Sequence, residues 1–151
     1  MKFRTLLTYC ASASAALLLA EAVLRLGGTR FSSSFYRTDA DLGWSLRPNA
    51  RGTSTEEAIV DIEINAAGMR DNREYTVPKP ANSFRLAILG DSFAESFQVP
   101  LEESFPKLLE QSLATCLPSK RIEILNFGTQ GYGTAQALLS WRLRAKRFNP
   151  D

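Results

Sequence analysis

Two short apolar runs, Leu86 to Leu89 in "RLAILGDSF" and Ile122 to Leu125 in "RIEILNFGT", constrain this chain more than any other feature. Each stops at turn-forming residues, so both read as short buried strands. Between them Phe105, Leu108, Leu109, Ser112 and Leu113 recur at helical spacing, with Ser104 as the expected cap and Pro106 tolerated in the first turn. Pro118 closes that region. After the second run Thr134 can cap another helix, on which Leu138, Trp141, Ala145 and Phe148 form one face. Arg142, Arg144, Lys146 and Arg147 gather near its C-terminal end, where cations suit the helix dipole. Strand, helix, strand, helix in that order means an α/β fold with a parallel sheet and a right-handed crossover.

In an open α/β sheet, reactive groups gather beyond the C-terminal ends of the strands. The first such end is Gly90-Asp91-Ser92-Phe93. Gly90 allows a sharp turn, after which Ser92 projects into the crevice ahead of a helix, and backbone N–H groups there can face a developing negative charge. The second end is "NFGTQGYGT", Asn126 to Thr134, whose three glycines leave the backbone bare enough for close approach by a ligand. Each loop also has a plain structural reading. Ser92 can be a capping hydroxyl, and the second loop an ordinary strand-to-helix turn. The order Gly128-x-x-Gly131-x-Gly133 reverses the dinucleotide fingerprint and follows the second strand rather than the first. Together, at consecutive strand ends, the two loops are a more specific pattern than either alone.

The N-terminus reads as an address. Basic Lys2 and Arg4 precede an uncharged stretch from Thr5 to Ala20. A secretory signal fits, with Ala20-Glu21-Ala22 as a cleavage site. A retained anchor fits better, because Thr5 to Leu26 reaches the length of a membrane span if Glu21 is accepted near its end. Either of these leading readings sends the remainder across the membrane, a buried N-terminal helix of a cytosolic domain being the third, and residues 1–27 are assigned to this segment. Gly27 to Thr38 reads as a linker, and "DLGWSLRPNARGT" as turns. Val60, Ile62 and Ile64 alternate with Asp61, Glu63 and Asn65, which makes a half-buried strand ended by Gly68. Residues 28–82 are therefore a linker with a small β-containing segment, and the stiff Val77-Pro78-Lys79-Pro80 borders the next unit, residues 83–151.

A net charge of +2 with scattered basic residues gives no argument for nucleic acid. Two cysteines, Cys10 and Cys116, set no disulfide framework, and the absence of histidine argues against a zinc, haem or copper site. No metal or cofactor is expected.

"RLAILGDSFAESFQVPLEESFPKLLEQSL" resembles the first sequence block, with its following helix, of the SGNH (GDSL) hydrolases, and "IEILNFGTQGYGTAQ" resembles the second block. "GWSLRPN" and "INAAGMRDN" are similar to the stretch that often precedes the first block in membrane-anchored bacterial members, so the likeness covers most of residues 20 to 151. It implies a flavodoxin-like three-layer fold and serine-dependent chemistry on an ester-bearing small molecule, lipid or glycan. Ser92 would be the nucleophile and its own N–H an oxyanion donor. Gly131 would supply a second donor, Asp91 would be a local structural acid, and Asn126 would fix the loop. Phe93 stands where the older spelling has leucine. The family's third-block Asn and its later Asp and His have no counterpart here, so the chain reads as the N-terminal part of a longer protein and is expected to be nearly inert alone. Losing the base of a serine hydrolase costs on the order of 10⁶ in turnover. An envelope-facing esterase is the leading expectation. An acyltransferase modifying an exported polysaccharide and a non-catalytic glycan-binding module are the alternatives.

Overall fold

The computed structural model describes residues 2–27 and 35–151, in two compact units, Met1–Ser33 and Ser34–Asp151. Of the linker expected over Gly27 to Thr38, residues 28–34 lie outside the described ones.

The first unit is one helix, α1 (Lys2–Leu26). Its stretch Thr5–Leu26 is long and apolar enough to cross a membrane, at 22 residues or about 33 Å of rise. Large apolar side chains such as Leu17, Leu18 and Leu19 are exposed along it. Glu21 is paired within the helix, its carboxylate accepting from Arg25 Nε at 2.6 Å one turn on.

The second unit begins with two antiparallel strand pairs. β1 (Tyr36–Asp39) pairs with β2 (Gly43–Leu46), and β3 (Arg51–Ser54) with β4 (Val60–Glu63). The stretch read as turns thus carries β2 and the start of β3 as well. Asp39 Oδ1 closes the first hairpin by accepting from the Asp41 and Leu42 N–H groups at 3.2 and 3.0 Å. The alternation in β4 has the expected result: Val60, Ile62 and Ile64 are buried with Phe35, Leu46 and Ala50, while Asp61 is exposed. Asn65 departs from it. Its side chain is buried because Oδ1 accepts from the Ala67 and Met69 N–H groups, folding the chain into the turn at Gly68.

Beyond them β5 (Ser83–Ile88) and β6 (Arg121–Asn126) run parallel, with Ser83 opposite Arg121 and Ile88 opposite Asn126. α3 (Phe105–Cys116) lies between them in sequence and packs on β6. α4 (Thr134–Leu143) follows, continued by a 3₁₀ turn over Ala145–Phe148. Met69, Tyr75, Leu125, Phe127, Ala145 and Phe148 form a second core that joins the β segment to this part. The result is a mixed α/β unit with small sheets, one of them parallel.

Five local expectations need correction. Leu138, Trp141, Ala145 and Phe148 do not share one helix face: Leu138 is 48 % exposed, and Ala145 and Phe148 lie in the 3₁₀ turn beyond Leu143. Leu86 to Leu89 are half-buried rather than buried, because among the described residues β5 has β6 alone as a neighbour; Ser83 and Arg85 are the buried members of that strand. On α3, Phe105 and Leu108 face outward at 53 % and 49 % exposure, and Pro106 and Lys107 are buried instead. Lys107 turns inward because Nζ donates to both Asp71 oxygens, at 2.9 and 3.0 Å. Ser104 precedes that helix, but its hydroxyl donates to the Leu101 carbonyl at 2.6 Å instead of accepting from the helix. Thr134 is the first residue of α4 rather than its cap; Gly133 takes the cap position and donates its N–H to Gln136 Oε1 at 3.1 Å.

Candidate active site

The first loop leaves β5 at Gly90 and enters a one-turn helix, α2 (Ser92–Glu95). Ser92 is its first residue. Asp91 caps it, with Oδ1 accepting the Phe93 N–H at 3.0 Å. The helix ends at Ser96, whose left-handed φ of 60° diverts the chain, and the helix expected from Ser104 onward follows separately as α3. Phe93 is 84 % exposed, while Ala94 and Glu95 are buried.

The second loop is stitched onto the first. Past the strand ends, Phe127 N–H donates to the Ile88 carbonyl at 2.8 Å, and Thr129 N–H to the Gly90 carbonyl at 3.0 Å. Asn126 works on both loops: Nδ2 donates to the Ala94 carbonyl at 2.7 Å, and Oδ1 accepts the Gly128 N–H at 3.0 Å. Gly128 lies directly against α2. Gly131 needs its glycine for conformation, with φ at +76°.

Ser92 and Gln130, the residue before Gly131, line one cavity of about 50 Å³ with Glu95 and Phe97. That volume holds a water molecule or two, not an acyl chain. The structure therefore brings the two loops together, with Ser92 and Gln130 on the wall of one cavity and Gly131 next in sequence to Gln130. Asp91 and Asn126 hold backbone rather than face the cavity.

Sequence reasoning passed over the groups behind that cavity. Glu95 is 1 % exposed, and its carboxylate receives the Tyr36 hydroxyl at 2.9 Å and the Gln130 backbone N–H. Trp44 Nε1 donates to the Gln130 carbonyl at 2.8 Å. Arg70 donates to the carbonyls of Glu95, Ser96 and Val99, and its guanidinium lies 5.4 Å from the centre of the Phe97 ring. Tyr36, Trp44 and Arg70 come from β1, β2 and the turn after β4, so the segment ahead of β5 supplies the groups that back Glu95 and Gln130. A buried acid in "DSFAES" and an aromatic in "DLGW" are the only traces they leave in the sequence. No family model matches the chain, and no curated protein matches it.

Burial pushes the Glu95 carboxyl up from 4.5 to about 7, against the lowering pull of Tyr36, the Gln130 N–H and Arg70. Between pH 4.5 and about 7 the folded chain then holds a proton that the unfolded chain has released, so this group makes stability fall as pH rises through that window. Glu95→Gln is expected to remove that fall. Urea melts of both proteins at pH 5, 6, 7 and 8 check it, and parallel stability–pH curves for the two would refute it.

Proposed function

We propose that this chain carries the nucleophile and oxyanion loops of an SGNH-type serine hydrolase that cleaves an ester outside the cytoplasm, with α1 as its membrane anchor. The observation that supports this most is the shared cavity: Ser92 and Gln130, the residue before Gly131, meet beyond the C-terminal ends of two parallel strands. In this reading Ser92 Oγ attacks the ester carbonyl, and its proton passes to a base. The carbonyl oxygen becomes negative and takes hydrogen bonds from the N–H groups of Ser92 and Gly131. Each such donor is worth roughly 3–4 kcal/mol of barrier. The alcohol then leaves, and water releases the acyl group from Ser92.

Glu95 is not that base, because its buried oxygens are already engaged by Tyr36 and the Gln130 N–H. The family mechanism uses an imidazole, and this sequence contains no histidine. Free imidazole in the buffer is therefore the means of testing the site. A fluorophosphonate is expected to label wild-type protein faster with imidazole present, and labelling is expected to vanish in Ser92→Ala. Equal labelling of wild type and Ser92→Ala, or none of wild type with imidazole, would defeat the proposal.

A further inference from the structure

The Gln130 peptide is held from both sides. Its carbonyl accepts the Trp44 indole N–H at 2.8 Å, and the Gln130 N–H donates into the Glu95 carboxylate. Peptide geometry turns this into a statement about Gly131. No peptide bond among the described residues is cis, so the Gln130 carbonyl and the Gly131 N–H lie in one plane and point in opposite directions. With the carbonyl fixed on Trp44, the Gly131 N–H must point away from Trp44. The edge of the indole also lies close against the turn. A β-carbon on Gly131 would sit 3.2 Å from Trp44 Cζ2, so the same ring sets both the direction and the spacing of this peptide.

The support behind the indole is continuous. Trp44 packs edge-on against Tyr132 at 5.7 Å between ring centres, and the Tyr132 hydroxyl donates to the Trp44 carbonyl at 2.6 Å. Tyr36 pairs into the same hairpin, donates to Glu95 and lies 3.0 Å from the Gln130 side-chain amide. The β1–β2 hairpin thus meets both peptide groups of Gln130 through two aromatic side chains and the buried acid of α2.

We infer that Trp44 is a positioning residue for the oxyanion loop: by holding the Gln130 carbonyl it aims the Gly131 N–H at the cavity that Ser92 lines. This inference rests on the serine hydrolase reading above. It assigns the hairpin ahead of the α/β part a role in the reaction, acting through the Gly131 amide without touching substrate.

Phosphonylation supplies the test. Ser92 Oγ forms a bond to phosphorus, the P–F bond breaks, fluoride leaves and the hydroxyl proton goes to imidazole. The phosphonyl oxygen then stands where the oxyanion would stand, and a Gly131 N–H aimed at it moves downfield in an amide spectrum. Full-chain wild type, Trp44→Phe and Gln130→Ala are labelled with ¹⁵N in detergent micelles and treated with a fluorophosphonate in imidazole buffer. Trp44→Phe keeps a ring against Tyr132 and deletes the N–H donor. Gln130→Ala keeps the backbone carbonyl that the indole holds.

Expected are a downfield Gly131 shift on labelling in wild type and in Gln130→Ala, and none in Trp44→Phe. Trp44→Phe is also expected to label on the order of 10²-fold more slowly, the usual loss for one misdirected donor. Its untreated spectrum should keep the Leu125 and Phe127 amide positions, which shows that the fold persists; wholesale movement of those signals would count against a role confined to aiming. The same Gly131 shift in wild type and Trp44→Phe, or labelling of wild-type Ser92 with no Gly131 shift, overturns the inference and leaves the hydrolase reading standing. No labelling of wild type overturns the hydrolase reading, and the inference with it.

Discussion

Gly128→Ala is expected to destabilise the chain by about 3 kcal/mol, at the upper end of what overpacking costs, and to force the two loops apart. Gly128 has no left-handed backbone to explain it. What it needs is space: a β-carbon there would lie 2.5 Å from the Glu95 backbone nitrogen, 2.6 Å from Ala94 Cβ and 2.7 Å from the Ala94 carbonyl carbon. Two of those three are main-chain atoms of α2, which no rotamer change can move. Relief has to come from displacing the turn that carries Ser92, or the loop that carries Gly131, and each shift strains the Asn126 bridge between them. Gly43→Ala is the comparison, since Gly43 is left-handed at φ +84° with open space around its α-carbon. That change is expected to cost only about 1–2 kcal/mol of backbone strain. Urea melts give both losses, and fluorophosphonate labelling of Ser92 reads the loop separation. Gly128→Ala labelling at the wild-type rate would show that the two loops do not need their contact.

The contrast between those glycines shows what a sequence can and cannot reveal here. From β4 onward the order of strands and longer helices was legible because it rests on short-range pattern, whereas β1, β2 and β3 were read as linker and turns. Leu86 to Leu89 and Ile122 to Leu125 mark β5 and β6, and the alternation at Val60, Ile62 and Ile64 marks β4. The loops were legible as loops, since glycines at a strand end demand a turn. Which of them needed room and which needed conformation was not legible, because that depends on α2 lying over Gly128 and Trp44 lying over Gly131. The rotation of α3 was hidden for a similar reason. Apolar periodicity put Phe105 and Leu108 inward, but the buried carboxylate of Asp71 outweighs two apolar contacts and draws Lys107 in. Asp71 also accepts the Tyr75 hydroxyl at 2.6 Å, and Arg73 reaches Glu110 of α3 at 2.6 and 2.7 Å, so the turn after β4 is fastened to α3 by charge. Long-range electrostatics of this kind leaves no period in a sequence. The Trp44 contact with Gln130 is longer in range still, 86 positions apart, and nothing local announces it.

The second large effect is expected where charge lies inside the parallel sheet itself. Arg85 and Glu123 stand opposite each other across β5 and β6, at 0 % and 2 % exposure. Arg85 Nε donates to Glu123 Oε2 at 2.7 Å, and Arg85 Nη1 donates to the Phe148 carbonyl at 2.6 Å, which ties the 3₁₀ turn after α4 to β5. Glu123→Ala removes the carboxylate and leaves a guanidinium out of water without its counter-charge. The expected loss is about 3–5 kcal/mol. The exposed Arg121 also contacts Glu123, at 3.2 Å, but a contact of that kind adds only about 0–1 kcal/mol. Removing both charges is a different matter. The double change Arg85→Met with Glu123→Leu abolishes the desolvation cost together with the attraction, so it is expected to be at least 2 kcal/mol more stable than Glu123→Ala alone. Trp44 and Trp141 report unfolding by fluorescence, and urea melts of the wild type, Arg85→Met, Glu123→Leu and the double variant close the cycle, with Glu123→Ala measured beside them. A loss below about 1 kcal/mol in Glu123→Ala would mean that Arg85 keeps its charge solvated by other means. A double variant weaker than either single one would mean that the pair is itself a net source of stability, and that the sheet carrying both candidate loops is held by attraction between charges more than by its apolar faces.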